Sequence, residues 1–222
     1  MKAAEQSAGT SSDDHIYKTF LKIISQYDLT GDLLDFGAGV GNFTRALAGL
    51  NRFHSVTGVD IMERPADLPA AIKWLAADLN SATSFPDRLF DVIVSPEVIE
   101  HLENPRATIR EWNRLLKPKG TLLFSTPNNE SLRALMALLL QGHFVHFGDA
   151  SYPAHITALV GKDFERISKE AGFAKPQFFF SNSGCIPKMP SVKWQTISFN
   201  LLKGKRFSDN IILMTRKEKD LN

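Results

Sequence analysis

The feature that most limits what this chain can fold into is Leu33-Leu34-Asp35-Phe36-Gly37-Ala38-Gly39-Val40-Gly41-Asn42-Phe43, a short apolar run that empties into a glycine turn and then a helical stretch. Gly37 and Gly39 carry no Cβ, so the backbone there can turn tightly and let a ligand approach. The helix start behind them presents N–H groups that have no partner of their own. Asp60 ends a second β-like run 19 residues after Gly41, where a carboxylate can take both hydroxyls of a ribose. Asp78 ends a third run and puts another carboxylate on the same edge. A glycine triplet alone would be only a tight turn; with a strand before it and two acidic strand ends after it, it reads as a nucleoside site. The dinucleotide pattern G-x-G-x-x-G would need a glycine at position 42, where Asn42 stands, and the lysine of a phosphate-cradling loop is missing.

The rest of the chain alternates short β-like runs with helical ones, the pattern of a parallel sheet covered by helices. Ile16, Phe20, Ile23, Ile24 and Tyr27 fall at helical spacing ahead of the first strand. Strands are expected over 33–36, 55–59, 72–76, 90–95, 121–125, 177–181 and 210–215, and helices from the glycine turn to Leu47, over 105–116 and over 162–171. At 222 residues and 24.7 kDa this is one domain, expected over 15–222 behind a flexible tail over 1–14. Cys185 is the only cysteine, which excludes a disulfide framework and a CxxC-type zinc site and fits a reducing cytoplasm. The N-terminal residues have no apolar core of signal-peptide length, and the run Leu132 to Leu140 is about half what a bilayer-spanning helix needs. A cytoplasmic protein without a transmembrane segment is expected, with peripheral contact at the inner membrane face left open.

Taken in order, Asp35-Phe36-Gly37-Ala38-Gly39-Val40-Gly41, Asp60, Asp78, the Asp91-to-His101 run and Leu116-Lys117-Pro118-Lys119-Gly120-Thr121 through Asn128 resemble the class I S-adenosylmethionine-dependent methyltransferases. The resemblance implies a Rossmann-like α/β fold, a seven-stranded mixed sheet flanked by helices, with the last strand antiparallel and inserted between strands five and six. It implies S-adenosylmethionine as cofactor. By the same resemblance the loop with Gly37, Ala38, Gly39 and Gly41 holds the methionine part, Asp60 and Ile61 the ribose, and Asp78 with Leu79 the adenine. Asp35, Ser95 and Glu97 complete the set expected at the cofactor. Lys119 departs from the pattern, since relatives usually have a glycine there.

Strand four runs into Glu97-Val98-Ile99-Glu100-His101. On one helical turn, Glu97, Glu100 and His101 would share a face at i, i+3 and i+4. Two carboxylates and an imidazole, with His155 as a fourth ligand, suit Mg²⁺ or Mn²⁺. The run resembles that of the ubiquinone-pathway O-methyltransferases and the small-RNA 3′-terminal 2′-O-methyltransferases, in which a histidine follows some fifty residues later; here the gap is 54. The other reading is a metal-free role, with His101 or His155 as base or substrate contact.

Residues 128–160 form an apolar insertion in which Leu132, Leu135, Met136, Leu139 and Leu140 line one helical face. That face either packs on the body or forms a lid, acceptor pocket or membrane contact. Residues 182–207 read as a long connection; from Ile186 to Phe207 it carries five basic residues and no acidic one. A solvated charged face, or contact with anionic lipid or an anionic acceptor, would explain it. The leading expectation is O-methylation of a small-molecule, glycan or lipid-like acceptor. An RNA-terminal methyltransferase and a non-catalytic partner protein of the same fold are the alternatives. Lys+Arg 26 against Asp+Glu 24, a net +2, counts mildly against RNA.

Overall fold

The computed structural model describes residues 13–220. Helix α1 (Asp13–Gln26) starts where the tail was expected to end, so the rest of the expected tail lies outside the described residues. The alternation then unfolds as β1 (Gly31–Phe36), α2 (Asn42–Gly49), β2 (Phe53–Asp60), β3 (Lys73–Ala76), β4 (Phe90–Ser95), α3 (Pro105–Leu115) and β5 (Leu116–Pro127). After the insertion, with α4 (Leu132–Gln141), come α5 (Gly161–Glu170), β6 (Gln177–Phe180), a hairpin of β7 (Cys185–Ile186) and β8 (Met189–Lys193), the short helix α6 (Trp194–Ile197), and β9 (Asn210–Arg216). The 182–207 segment is therefore more than a connection.

The sheet runs β3-β2-β1-β4-β5-β9-β6. The first five strands are parallel, and β9 lies antiparallel between β5 and β6, as the resemblance implied. Successive residues of the central strands point to opposite faces, so each face builds its own core. Leu34, Ile93, Leu122 and Phe124 join Phe36, Trp112 and Phe164 under α3 and α5. Leu33, Val92, Val94 and Leu123 join Phe20, Phe43 and Leu47 under α1 and α2.

Two local details follow from residue chemistry. Asn104 caps α3, accepting from Ala107 N at 3.0 Å, with Pro105 at the first helical position. Lys119, the departure noted above, has φ +65°, the left-handed region for which glycine is the usual choice.

The leucine face of α4 does not pack on the body. Ala134 and Ala137 are the buried residues of the helix, while Leu139 and Leu140 are 84% and 62% exposed. Small side chains let the backbone sit close to the domain, and this turns the large ones outward. No helix among the described residues is long and apolar enough to cross a membrane.

Candidate active site

The glycine turn is held from beneath by the end of β2. Gly37 N and Ala38 N both donate to Val59 O, at 2.9 and 3.0 Å. Gly37 has φ +83°, and a Cβ there would stand 2.3 Å from Val98 Cγ2, so only glycine fits. Gly39 N donates to Asp60 Oδ2 at 2.8 Å, and Met62 N to Asp60 Oδ1 at 3.0 Å. Asp60 thus pins the loop while keeping a second lone pair on each oxygen for a ligand. Gly41, with φ +78°, starts α2.

Asp35 lies beneath this loop with no exposed surface. Thr44 Oγ1 donates to its Oδ2 at 2.7 Å, and its Oδ1 has no partner. Burial, reinforced by the Asp60 charge, pushes its pKa up to about 7. Ser95 Oγ donates to Phe36 O at 2.9 Å and ties the ends of β4 and β1 together. Asp78 is exposed, with Oδ1 accepting from Asn80 N at 3.0 Å; Leu79 is half-buried and Ile61 is 45% exposed. These three line the open edge beside β2 and β3.

The Glu97-to-His101 segment departs from a single helical turn. Glu97 takes φ +55°, and only Ile99–His101 coils, as a 3-10 turn. The cause is tertiary. Glu97 N donates to Ser125 O and Oγ at 3.2 and 3.1 Å, while Ser125 Oγ donates back to Glu97 Oε1 at 2.7 Å. Asn210 Nδ2, from β9, donates to Glu97 Oε2 at 2.8 Å. Glu97 is therefore engaged with β5 and β9, and of the four expected metal ligands the structure gathers Glu100, His101 and His155. One ligand atom from each of these three lies within 4.8 Å of the others.

The insertion reaches this turn through the backbone. Ile156 N and Thr157 N both donate to Glu100 O at 3.0 Å, and Thr157 Oγ1 donates to Leu102 O at 2.7 Å. His101 Nδ1 lies 2.8 Å from Ala154 O, and His155 Nδ1 lies 2.7 Å from His146 O. A carbonyl only accepts, so both Nδ1 atoms carry the proton and both Nε2 atoms keep a lone pair.

The electrostatics fit that arrangement. Glu100 is 1% exposed; the Thr126 hydroxyl and its own backbone N–H favour its charged form, but neither forms a hydrogen bond of full geometry to the carboxylate oxygens. Burial first and the Glu97 charge second raise its pKa well above the usual carboxylate range. Burial lowers the pKa of His101, against the pull of the Ala154 and Glu97 carbonyls. Burial, with His101 next in weight, lowers that of His155 to about 4. Two neutral imidazoles thus face an acidic group with only weak polar support.

Four contributors carried little signal in sequence. Ser125 lies in β5, and Asn210 opens β9, 113 residues from Glu97. His146 holds His155 by its carbonyl, and its own buried Nε2 has no partner. Phe147 packs on His155 at a ring distance of 5.5 Å.

The chain can now be set beside known proteins. The family described as "Methyltransferase domain" matches residues 14–177. A ubiquinone biosynthesis O-methyltransferase from Actinobacillus pleuropneumoniae is 32% identical over 125 residues, 51% of this chain and 52% of that protein. The chain thus spans about half the length of the curated relatives it matches. Among solved structures, an S-adenosylmethionine-dependent methyltransferase from Archaeoglobus fulgidus superposes with TM-score 0.65 at 18% identity, over 93% of this chain and 95% of that one. An N-methyltransferase from Bradyrhizobium japonicum in complex with S-adenosyl-L-homocysteine superposes with TM-score 0.59 at 19% identity, over 98% of each chain. With a strand order that matches and a glycine loop pinned by Asp60, the chain belongs to the methyltransferase domain family, in its class I S-adenosylmethionine-dependent form.

Proposed function

We propose that the protein is an O-methyltransferase that acts on a hydroxyl of a small-molecule, glycan or lipid-like acceptor, with a divalent cation at Glu100, His101 and His155. The observation that carries this reading is the cluster itself. A buried carboxylate with no well-formed hydrogen bond and two neutral imidazoles with Nε2 lone pairs converge beside the glycine loop, at the carboxyl edge of the sheet. The similarity to O-methyltransferases supports the choice of oxygen.

The residues fit both groups the reading needs. The glycine loop leaves room for close approach, and Asp60 supplies acceptors for the ribose hydroxyls of the cofactor, while Asp35 lends its negative charge from beneath the loop. When bound, S-adenosylmethionine supplies a methyl group on a cationic sulfur, open to in-line displacement. Oxygen and imidazole donors with no thiolate suit Mg²⁺ or Mn²⁺, which when bound polarises a hydroxyl and lowers its pKa.

The chain's own work is alignment and proton removal. Asp60 and the glycine loop fix the donor. Phe147 and the rings of His101 and His155 bound the acceptor side. The reaction would move the methyl carbon from sulfur to the acceptor oxygen, with the hydroxyl proton lost to solvent water once a cation lowers its pKa. Each imidazole has one free lone pair, at Nε2, so His101 and His155 serve as ligands to the cation or, without it, as the base, and not as both at once. Burial keeps both imidazoles unprotonated near neutral pH, as either role requires.

The test is turnover with labelled S-adenosylmethionine over phenols, glycans, lipid alcohols and short RNAs, after chelation and after add-back of Mg²⁺ or Mn²⁺. Methylation of a hydroxyl that is lost in EDTA and restored by the ion is expected. Full turnover in EDTA refutes the metal, and methylation confined to RNA ends refutes the acceptor class.

A further inference from the structure

The outward leucine face of α4 does not stand alone. Leu135, Met136, Leu138, Leu139 and Leu140 are 37–84% exposed, and the one charged residue of the helix, Arg133, is turned away into an ion pair with Asp209 at 3.0 Å. The segment after α6 carries a second apolar point: Phe199 is 88% exposed and Leu201 is 83% exposed. Large apolar groups gathered this way on a surface mark an interaction site.

The two patches belong to one side of the molecule. The turn Lys205–Phe207 packs against α4. Just before α4, Glu130 O accepts from Arg206 Nη1 at 2.7 Å, and the Glu130 carboxylate pairs with Lys205 Nζ at 2.8 Å. Between the apolar points stand Lys203 and Arg206, and no acidic residue lies between Ile186 and Phe207.

From this geometry we infer that α4 and the 197–206 segment form a docking face for an anionic lipid bilayer. Charge complementarity selects this occupant. An apolar helix whose one charge is spent on Asp209, beside a basic rim, inserts its side chains at the acyl boundary while the lysines and arginines meet anionic headgroups. A second copy seated on the same face would set basic rim against basic rim. The face lies on the insertion that carries His155, so docking would bring the acceptor side of the molecule to the membrane. The inference stands independently of the proposed acceptor and metal.

Flotation of the purified full chain with vesicles tests it. Vesicles of phosphatidylcholine with 30% phosphatidylglycerol are compared with pure phosphatidylcholine, alongside Leu139→Gln/Leu140→Gln, Phe199→Ser/Leu201→Ser and Lys203→Glu/Arg206→Glu. The altered side chains are largely exposed, and a thermal melt confirms that each variant folds. The expected result is binding to the anionic vesicles alone. Each apolar pair should weaken it by about tenfold, and each basic residue by about fivefold or more. No binding to anionic vesicles overturns the inference, as does binding that the apolar variants leave unchanged. A dimer in light scattering that Leu139→Gln/Leu140→Gln dissociates, without vesicle binding, assigns the face to a second copy instead. Methyl transfer is not needed for the readout, so failure here and failure of the proposed function are separate results.

Discussion

His101 and His155 meet ring to ring, with centroids 4.8 Å apart and planes inclined at 76°, so a proton on either one opposes a proton on the other. The pair is held that way by two carbonyls, of Ala154 and His146, each fixing one Nδ1.

That pairing sets the pH dependence. Both imidazoles have pKa values below the ordinary 6.5, that of His155 near 4. A base with a lowered pKa stays unprotonated until the solution becomes more acidic. The acid limb of kcat/KM should therefore lie below pH 6.5, with activity level above it. An acid limb centred at 6.5 or higher would show that neither buried imidazole is the base.

Glu100 should behave in the opposite sense. Its folded pKa is raised, so its contribution to stability is intact below the unfolded value near 4.5 and is lost as pH rises through the folded pKa. Without divalent ions, Glu100→Met should be more stable than the parent at pH 8 by about 1–3 kcal/mol, with the gap closing towards pH 4.5. Urea midpoints across that range would check it. Mn²⁺ should raise the midpoint of the parent and leave the variant unmoved.

Asp60 carries two tasks that calorimetry can separate. Removing the carboxylate in Asp60→Ala frees Gly39 N and would delete the proposed ribose acceptors, at a cost of about 1.5–3 kcal/mol for each charge-assisted bond lost. S-adenosylhomocysteine should bind at least tenfold more weakly. Unchanged affinity would remove Asp60 from the site.

Gly37→Ala tests the loop sterically. The new Cβ meets Val98 Cγ2 at 2.3 Å and sits at φ +83°. The overlap and the left-handed backbone together should destabilise the fold by about 2–5 kcal/mol. Adding Val98→Ala should recover the overlap part only. If the single variant unfolds at the parent's denaturant midpoint, the turn is not as tight as described.

The loop and its acidic partners were legible in sequence because their logic is local. Glycine at Gly37 and Gly41, and a carboxylate at a strand end, announce themselves within a few residues. The Glu97-to-His101 turn was not, because its shape is set from afar. Ser125 and Asn210 hold Glu97 in the left-handed region, and no period in the run itself encodes partners 28 and 113 residues away. The helix α4 misled in a different way. Its leucine stripe has the spacing of a buried face, yet Ala134 and Ala137 take the inside. Periodicity reports that a face is apolar; which neighbour covers it is decided by the fold.

The backbone oxygen of Glu100 receives two N–H groups from the insertion, and the next residue, His101, leans on the carbonyl of Ala154. Lifting the 154–157 segment would break all three bonds together, and with them the alignment of both imidazoles and the carboxylate. The cluster of Glu100, His101 and His155 therefore exists only while this segment is seated, and whatever chemistry it carries is switched by a backbone seam that holds no catalytic side chain of its own but His155.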